Sequence, residues 1–294
     1  MNVELAQEYP FSGHKLNIEG LNYHYLDEGS GDPVVMVHGN PSWSFYYRNL
    51  VLALRDSHRC IVPDHIGCGF SDKPGDDRYA YTLKSRVDDL ERLLDTLGIT
   101  ENITLVVHDW GGMIGMAYAV RHPKRIKRLV ILNTGAFHLP KEKPFPPALQ
   151  ICRSGFVGSL LIRGLNSFSV GASIVGCKRN PMNAGLRKLY QHPYDSWHNR
   201  IATQRFVQDI PLEPGDRCYD LVTSVSDGIG QLSSLPMLIC WGELDFVFDL
   251  HFLNEWQRRF PCAEVHSFAD CGHYILEDAA EYVIPLITGF IQRT

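Results

Sequence analysis

The chain has 294 residues, 45% of them hydrophobic and 21% charged, with Lys+Arg 28 against Asp+Glu 33 and a net charge of −5. That is ordinary globular composition, long enough to bury a sizeable core. A mildly acidic balance gives no electrostatic case for binding nucleic acid or an anionic membrane.

The eight cysteines are scattered and show no C-x-x-C or paired Cys/His spacing. A zinc site is therefore not expected, and no metal or organic cofactor is implied. The stretch from Met1 to Glu8 is acidic and has no apolar core, unlike a secretory signal. No apolar run reaches membrane-spanning length, so a reduced, cytoplasmic location is expected.

Residues 16–18 and 21–25 flank Glu19-Gly20 and predict a β-hairpin. Residues 34–37 form a continuous apolar run that ends in His38-Gly39-Asn40-Pro41, as in a strand buried on both faces. A helix is expected over residues 43–54, a strand over 59–63 and a loop over 64–69. Thr82 has the chemistry of an N-cap. Leu83, Val87, Leu90, Leu94 and Leu97 then recur at spacings of three and four until Gly98 stops the helix.

Residues 103–109, 128–133, 235–241 and 263–268 complete the predicted strands. Strands alternating with helices mean a mostly parallel sheet flanked by helices. The basic run from Arg121 to Arg128 fits a helix C-terminus turning into a strand. Residues 134–213 break the rhythm with Pro140, Pro144, Pro146, Pro147 and Pro211. They predict a helical cap between two parts of a main domain, residues 1–133 and 214–294. Such a cap would cover the C-terminal edge of the sheet, where these sheets bind ligands.

The chemistry centres on Asp109. An apolar, β-branched run ends in His108-Asp109-Trp110-Gly111-Gly112, and small and apolar residues at helical spacing follow. That pattern is a strand, a very tight turn and a helix, with a carboxylate where many hydrolases place serine. A carboxylate nucleophile makes an ester with carbon. Asp245 follows the strand that ends at Trp241, and His273 follows the last strand. Nucleophile, acid, then histidine is the chain order of a triad built at one sheet edge. His273 would activate water to cleave the ester, and Asp245 would fix its tautomer.

The backbone N–H groups of Asn40 and Trp110 are candidates for an oxyanion hole. Their side chains also offer donors that would hold a departing anion. Asp249 suits the start of the following helix, and Asp270 a turn. Gly67-x-Gly69 lacks the third glycine of a dinucleotide fingerprint. Tyr190, Tyr194, Trp197 and Tyr219 are expected to pack the cap against the main domain. The apolar run over residues 155–162 is the best candidate wall of a long pocket, with simple packing of the cap as the equal alternative.

These residues resemble the haloalkane dehalogenase group of the α/β-hydrolase fold. The match runs from His38-Gly39-Asn40-Pro41-Ser42-Trp43 through His108-Asp109-Trp110-Gly111-Gly112 to Gly272-His273. The resemblance implies Asp109 as nucleophile, His273 as base, Asp245 as acid, and Asn40 with Trp110 as the anion-holding pair. Asn40, with the acid after residue 241, is similar to the third subfamily.

The wording of residues 40–48, 63–69 and 268–278 is most similar to the β-lactone decarboxylases of bacterial long-chain olefin synthesis. That resemblance implies conversion of a cis-3,4-dialkyl-oxetan-2-one to a cis-alkene and CO2. It also implies a small hydrophobic substrate and assembly with other enzymes of olefin synthesis. Haloalkane dehalogenation by the same residues is the alternative. An epoxide hydrolase would further need Tyr190 and Tyr194 to face Asp109. An idle scaffold fits poorly with an intact triad, and a serine esterase lacks its serine.

Overall fold

Eight strands form one sheet in the computed structural model, which describes residues 3–294. The first two residues of the acidic N-terminal stretch lie outside them. The strands are β1 (His14–Ile18), β2 (Leu21–Glu28), β3 (Pro33–Val37), β4 (Arg59–Pro63), β5 (Ile103–Asp109), β6 (Ile126–Thr134), β7 (Met237–Gly242) and β8 (Glu264–Phe268). Their order is β1-β2-β4-β3-β5-β6-β7-β8. The hairpin β1–β2 and the pair β2–β4 are antiparallel. Every other pair is parallel. This is the α/β-hydrolase fold.

The central strands read as continuous apolar runs because both faces of the sheet are covered. Val35, Val37, Leu105 and Val107 pack on one side with the helices Leu83–Thr96 and Trp110–Arg121. Val34, Met36, Val106 and Val130 point the other way, onto Arg48–Leu54 and Ala280–Arg293. Alternation with a period of two divides the core into two layers. Each fully buried aliphatic side chain contributes about 1.5–3 kcal/mol.

Local signals set the helix ends. The Thr82 hydroxyl accepts from the Ser85 N–H at 3.2 Å, and Gly98 takes φ +68°. The helix expected over residues 43–54 opens as a 3-10 turn, Ser44–Tyr47. Its first N–H, from Ser44, donates to the buried Asp64 at 2.7 Å. Between Thr134 and Met237 the described residues contain helices and turns but no strand. No helix among them is long and apolar enough to cross a membrane.

Candidate active site

The end of β5 is strained. Asp109 sits at φ +53°, ψ −129°, and the helix Trp110–Arg121 begins at the next residue. A side chain other than glycine's in this region costs about 1–3 kcal/mol. Close packing holds the bend. A Cβ on Gly111 would overlap the Val37 carbonyl oxygen, and one on Gly39 would overlap Asp109 Oδ1. The Thr134 hydroxyl donates to the Asp109 carbonyl oxygen.

Three strand ends bring the acid, the imidazole and the elbow together. His273 Nε2 lies 3.6 Å from Asp109 Oδ2. His273 Nδ1 lies 2.7 Å from Asp245 Oδ2. All three side chains are buried. Burial pushes the Asp109 carboxyl above the usual carboxylate range, against the pull of His273 and of the Asn40 and Trp110 N–H groups. Burial opposes charge on His273, but the Asp245 carboxylate and then Asp109 outweigh it and raise the imidazole above its ordinary value.

The backbone N–H of Asn40 donates to Asp109 Oδ1 at 2.6 Å, and that of Trp110 binds the same carboxylate. Oδ1 therefore takes the Asn40 side of the expected oxyanion hole, and Oδ2 is the oxygen that faces His273. If Oδ2 forms an ester, Oδ1 becomes its carbonyl oxygen and is already in the hole. The Asn40 side chain donates from Nδ2 to the Thr203 carbonyl at 3.2 Å. One of its two amide hydrogens stays available.

Sequence reasoning missed Asn133. It takes φ +33° at the end of β6. Its Nδ2 donates to Asp245 Oδ2 at 3.1 Å and to the Gly242 carbonyl at 3.0 Å. Its Oδ1 accepts from the Gly242 N–H at 2.8 Å. The Val247 N–H donates to the other oxygen of Asp245 at 2.8 Å. His108, next to the elbow, was also missed as a support. It is kept neutral by burial and then by His273, and its Nε2 meets the His273 carbonyl oxygen at 2.9 Å.

Asn133→Leu removes the side-chain hydrogen bonds to Gly242, Asp245 and Phe248 while keeping the branched heavy-atom shape. We expect kcat to fall about tenfold with KM little changed, and Tm to drop by several degrees. Steady-state kinetics and a thermal melt check this. An unchanged kcat would mean that Asp245 holds its place without Asn133.

Asp109, Trp110, His273 and Asn40 line one cavity of about 1020 Å³, a volume that includes space open to solvent. Apart from Asn40, Asp109 and His273, the lining is apolar, aromatic or glycine. Leu149, Phe168, Ala172 and Ile210 wall it from the helical segment. Residues 155–162 do not line it, contrary to the expectation from sequence. Phe156 is 83% exposed and Leu160 50%. Their apolar run lies on the outside of the segment, a distinction that hydropathy cannot draw.

The tyrosines that an epoxide hydrolase would need are engaged elsewhere. Tyr190 donates to Glu277 at 2.6 Å and Tyr194 to the Ser42 carbonyl at 3.2 Å. Neither lines the cavity. Tyr219 packs against His138, and Trp197 is half-exposed. Asp249 caps its helix by accepting from the His251 N–H. Asp270 pairs with Arg179 and not with His273.

The sheet order, the strained carboxylate elbow and the carboxylate–imidazole–carboxylate chain define a protein of the α/β-hydrolase fold. A sequence profile described as alpha/beta hydrolase fold matches residues 32–153. The solved haloalkane dehalogenase DatA of Agrobacterium tumefaciens superimposes with a TM-score of 0.85 at 23% identity, covering 96% of each chain. A cis-3-alkyl-4-alkyloxetan-2-one decarboxylase of Shewanella oneidensis is 64% identical over 97% of this chain and 90% of that protein. One of the same name from Xanthomonas campestris pv. campestris is 50% identical, covering 97% of both. The chain belongs to the cis-3-alkyl-4-alkyloxetan-2-one decarboxylase family.

Proposed function

We propose that this enzyme converts a cis-3-alkyl-4-alkyloxetan-2-one to a cis-alkene and CO2, with Asp109 as nucleophile. The observation that carries the substrate is the 64% identity to a decarboxylase of that name along nearly the whole chain. The site supports it with a carboxylate, held at one oxygen by the Asn40 N–H, that lines an apolar cavity.

In this reading Asp109 Oδ2 attacks the ring carbon that bears the ring oxygen. That C–O bond breaks, and a carboxylate is released on the neighbouring carbon. Asn40 and Trp110 donate to it. The carboxylate then leaves as CO2, its C–C electron pair becomes the double bond, and the bond to Asp109 breaks. The elbow carboxylate is regenerated and no water is consumed. Attack at the carbonyl would leave an anhydride, and water would turn that into a hydroxy acid with no alkene. Inversion on attack followed by anti loss keeps the cis geometry. His273 as imidazolium, 3.6 Å from Oδ2, would stabilise the charge returning to Asp109.

Residues 134–213 act in this proposal as a cap over the site, between the main-domain parts 1–133 and 214–294. Eight free cysteines fit a reducing cytoplasm. The test is alkene release from a cis-β-lactone beside halide release from a 1-haloalkane. Halide turnover without alkene would establish the dehalogenase reading instead.

Leu149, buried on the cavity wall, gives a further prediction. Leu149→Trp should raise KM for long-chain lactones about tenfold and spare short ones, because a filled cavity excludes length before it touches chemistry. Equal losses for every chain length would place the alkyl groups elsewhere.

A further inference from the structure

Residues 151–200 hold seven Lys and Arg against one acid, Asp195, a local charge of +6 in a chain of net −5. The other residues therefore carry −11. The same fifty residues hold eight of the thirteen exposed large hydrophobic side chains among the described residues. Phe156 is 83% exposed, Leu165 66% and Trp197 49%.

The elements that carry them pack in series, and the helix Ala184–Gln191, with Arg187 and Lys188, packs on Ser167–Val175. The helix Pro147–Arg153 packs on Phe156–Ser159, that turn on the π-helical Leu160–Gly164, and that in turn on Ser167–Val175. Leu160 and Trp197 both approach Gly164. The Arg163 guanidinium lies 4.8 Å from the Trp197 ring centroid, and Arg200 donates to the Arg163 carbonyl. Among the described residues no carboxylate is within ion-pair distance of Arg163, Lys178, Arg187, Lys188 or Arg200.

We propose that this face docks on an anionic lipid bilayer. Apolar tips among cations that lack carboxylate partners match the boundary between phosphate headgroups and acyl chains. A protein interface tends to exclude lysine from its centre, and these fifty residues carry Lys178 and Lys188 as well as eight exposed large apolar side chains. The acidic remainder of the chain is repelled by anionic lipid, so the asymmetry also sets orientation. The net charge of the whole chain conceals this, which is why composition gave no membrane signal.

The helices under the patch are the ones that wall the cavity. Leu149 lines it and Ile151, on the same helix, is exposed. Phe168 and Ala172 line it, and Ile174 and Val175 are exposed. Resting on the proposed function, a substrate with two alkyl chains partitions into a bilayer, and docking puts the cavity wall against its reservoir.

The experiment is vesicle flotation of the full chain, without substrate. Vesicles are phosphatidylcholine alone, or phosphatidylcholine with one part in three phosphatidylglycerol. Binding is expected to the anionic vesicles only and to weaken with salt. Phe156→Ser with Leu165→Ser, and separately Arg187→Gln with Lys188→Gln, should each lower the bound fraction about tenfold or more. All four positions lie outside the cavity, so Tm and alkene release from a dispersed short-chain lactone should not change. No binding to anionic vesicles, or binding that neither variant weakens, overturns the proposal. So does a dimer or larger assembly, seen by sedimentation, that the Phe156/Leu165 variant dissolves. Flotation uses no substrate, so a failed lactone assay would count against the proposed function and not against docking.

Discussion

Asp109→Asn is expected to lower alkene release by about 10⁴-fold or more and to keep the fold. The reason is local. An amide oxygen in place of Oδ1 still accepts from the Asn40 N–H, so the elbow keeps its shape. The group in place of Oδ2 carries no charge and does not attack carbon at a useful rate. With a 1-haloalkane, the same variant should form no covalent adduct by intact-mass measurement. Residual lactone activity within tenfold of the parent would remove Asp109 as nucleophile, and with it the proposed mechanism.

The same substitution should raise Tm by roughly 2–4 °C. Burial raises the Asp109 carboxyl above its ordinary value of 3.8. An acid raised on folding is easier to ionise in the unfolded chain. Its ionised form therefore costs stability, and the cost is fully present above the folded value. Asparagine removes that cost. Gain of stability with loss of activity is what a nucleophile held in a dry site predicts. An unchanged or lower Tm would mean that the His273 and N–H interactions outweigh burial.

Much of this site is legible along the chain because its parts are sequence-local. The elbow is a run of neighbours, 103–115, and Asp245 and His273 each follow a strand recognisable from its own apolar run. The supports are not local. Asn133 looks like any strand-end asparagine. Its meaning comes from Gly242 and Asp245, which lie 109 and 112 positions away and meet it only because β6 pairs with β7. The cavity wall fails for a related reason. Leu149 and Phe168 line the cavity while Phe156 and Leu160 face outward, and all four are equally apolar in sequence. Which face of a short helix turns inward is decided by its packing partners. Charge was hidden too, since the +6 of residues 151–200 is cancelled in the sum over the chain.

The pH profile for lactone turnover should be bell-shaped, and its alkaline side should separate the two chemistries. The acid limb comes from Asp109, which must be ionised to attack and whose value burial raises. The alkaline limb comes from His273. Burial opposes its charge, but Asp245 and Asp109 raise it above 6.5. Decarboxylation through an imidazolium keeps its rate below that raised value and loses it as the pH climbs through it. Hydrolysis of an alkyl ester needs neutral His273 to take a proton from water, so dehalogenation should rise over the same range. His273→Gln should cost about 10²–10⁴-fold in kcat for the lactone and erase the alkaline limb. His273→Phe should trap an alkyl adduct from a haloalkane. Stability follows the same sign: a base raised on folding adds stability in full below 6.5 and loses it as pH rises through the folded value. Lactone turnover that increases through the alkaline range would show His273 acting as a neutral base. The water-free release from Asp109 would then have to be abandoned in favour of a hydrolytic step.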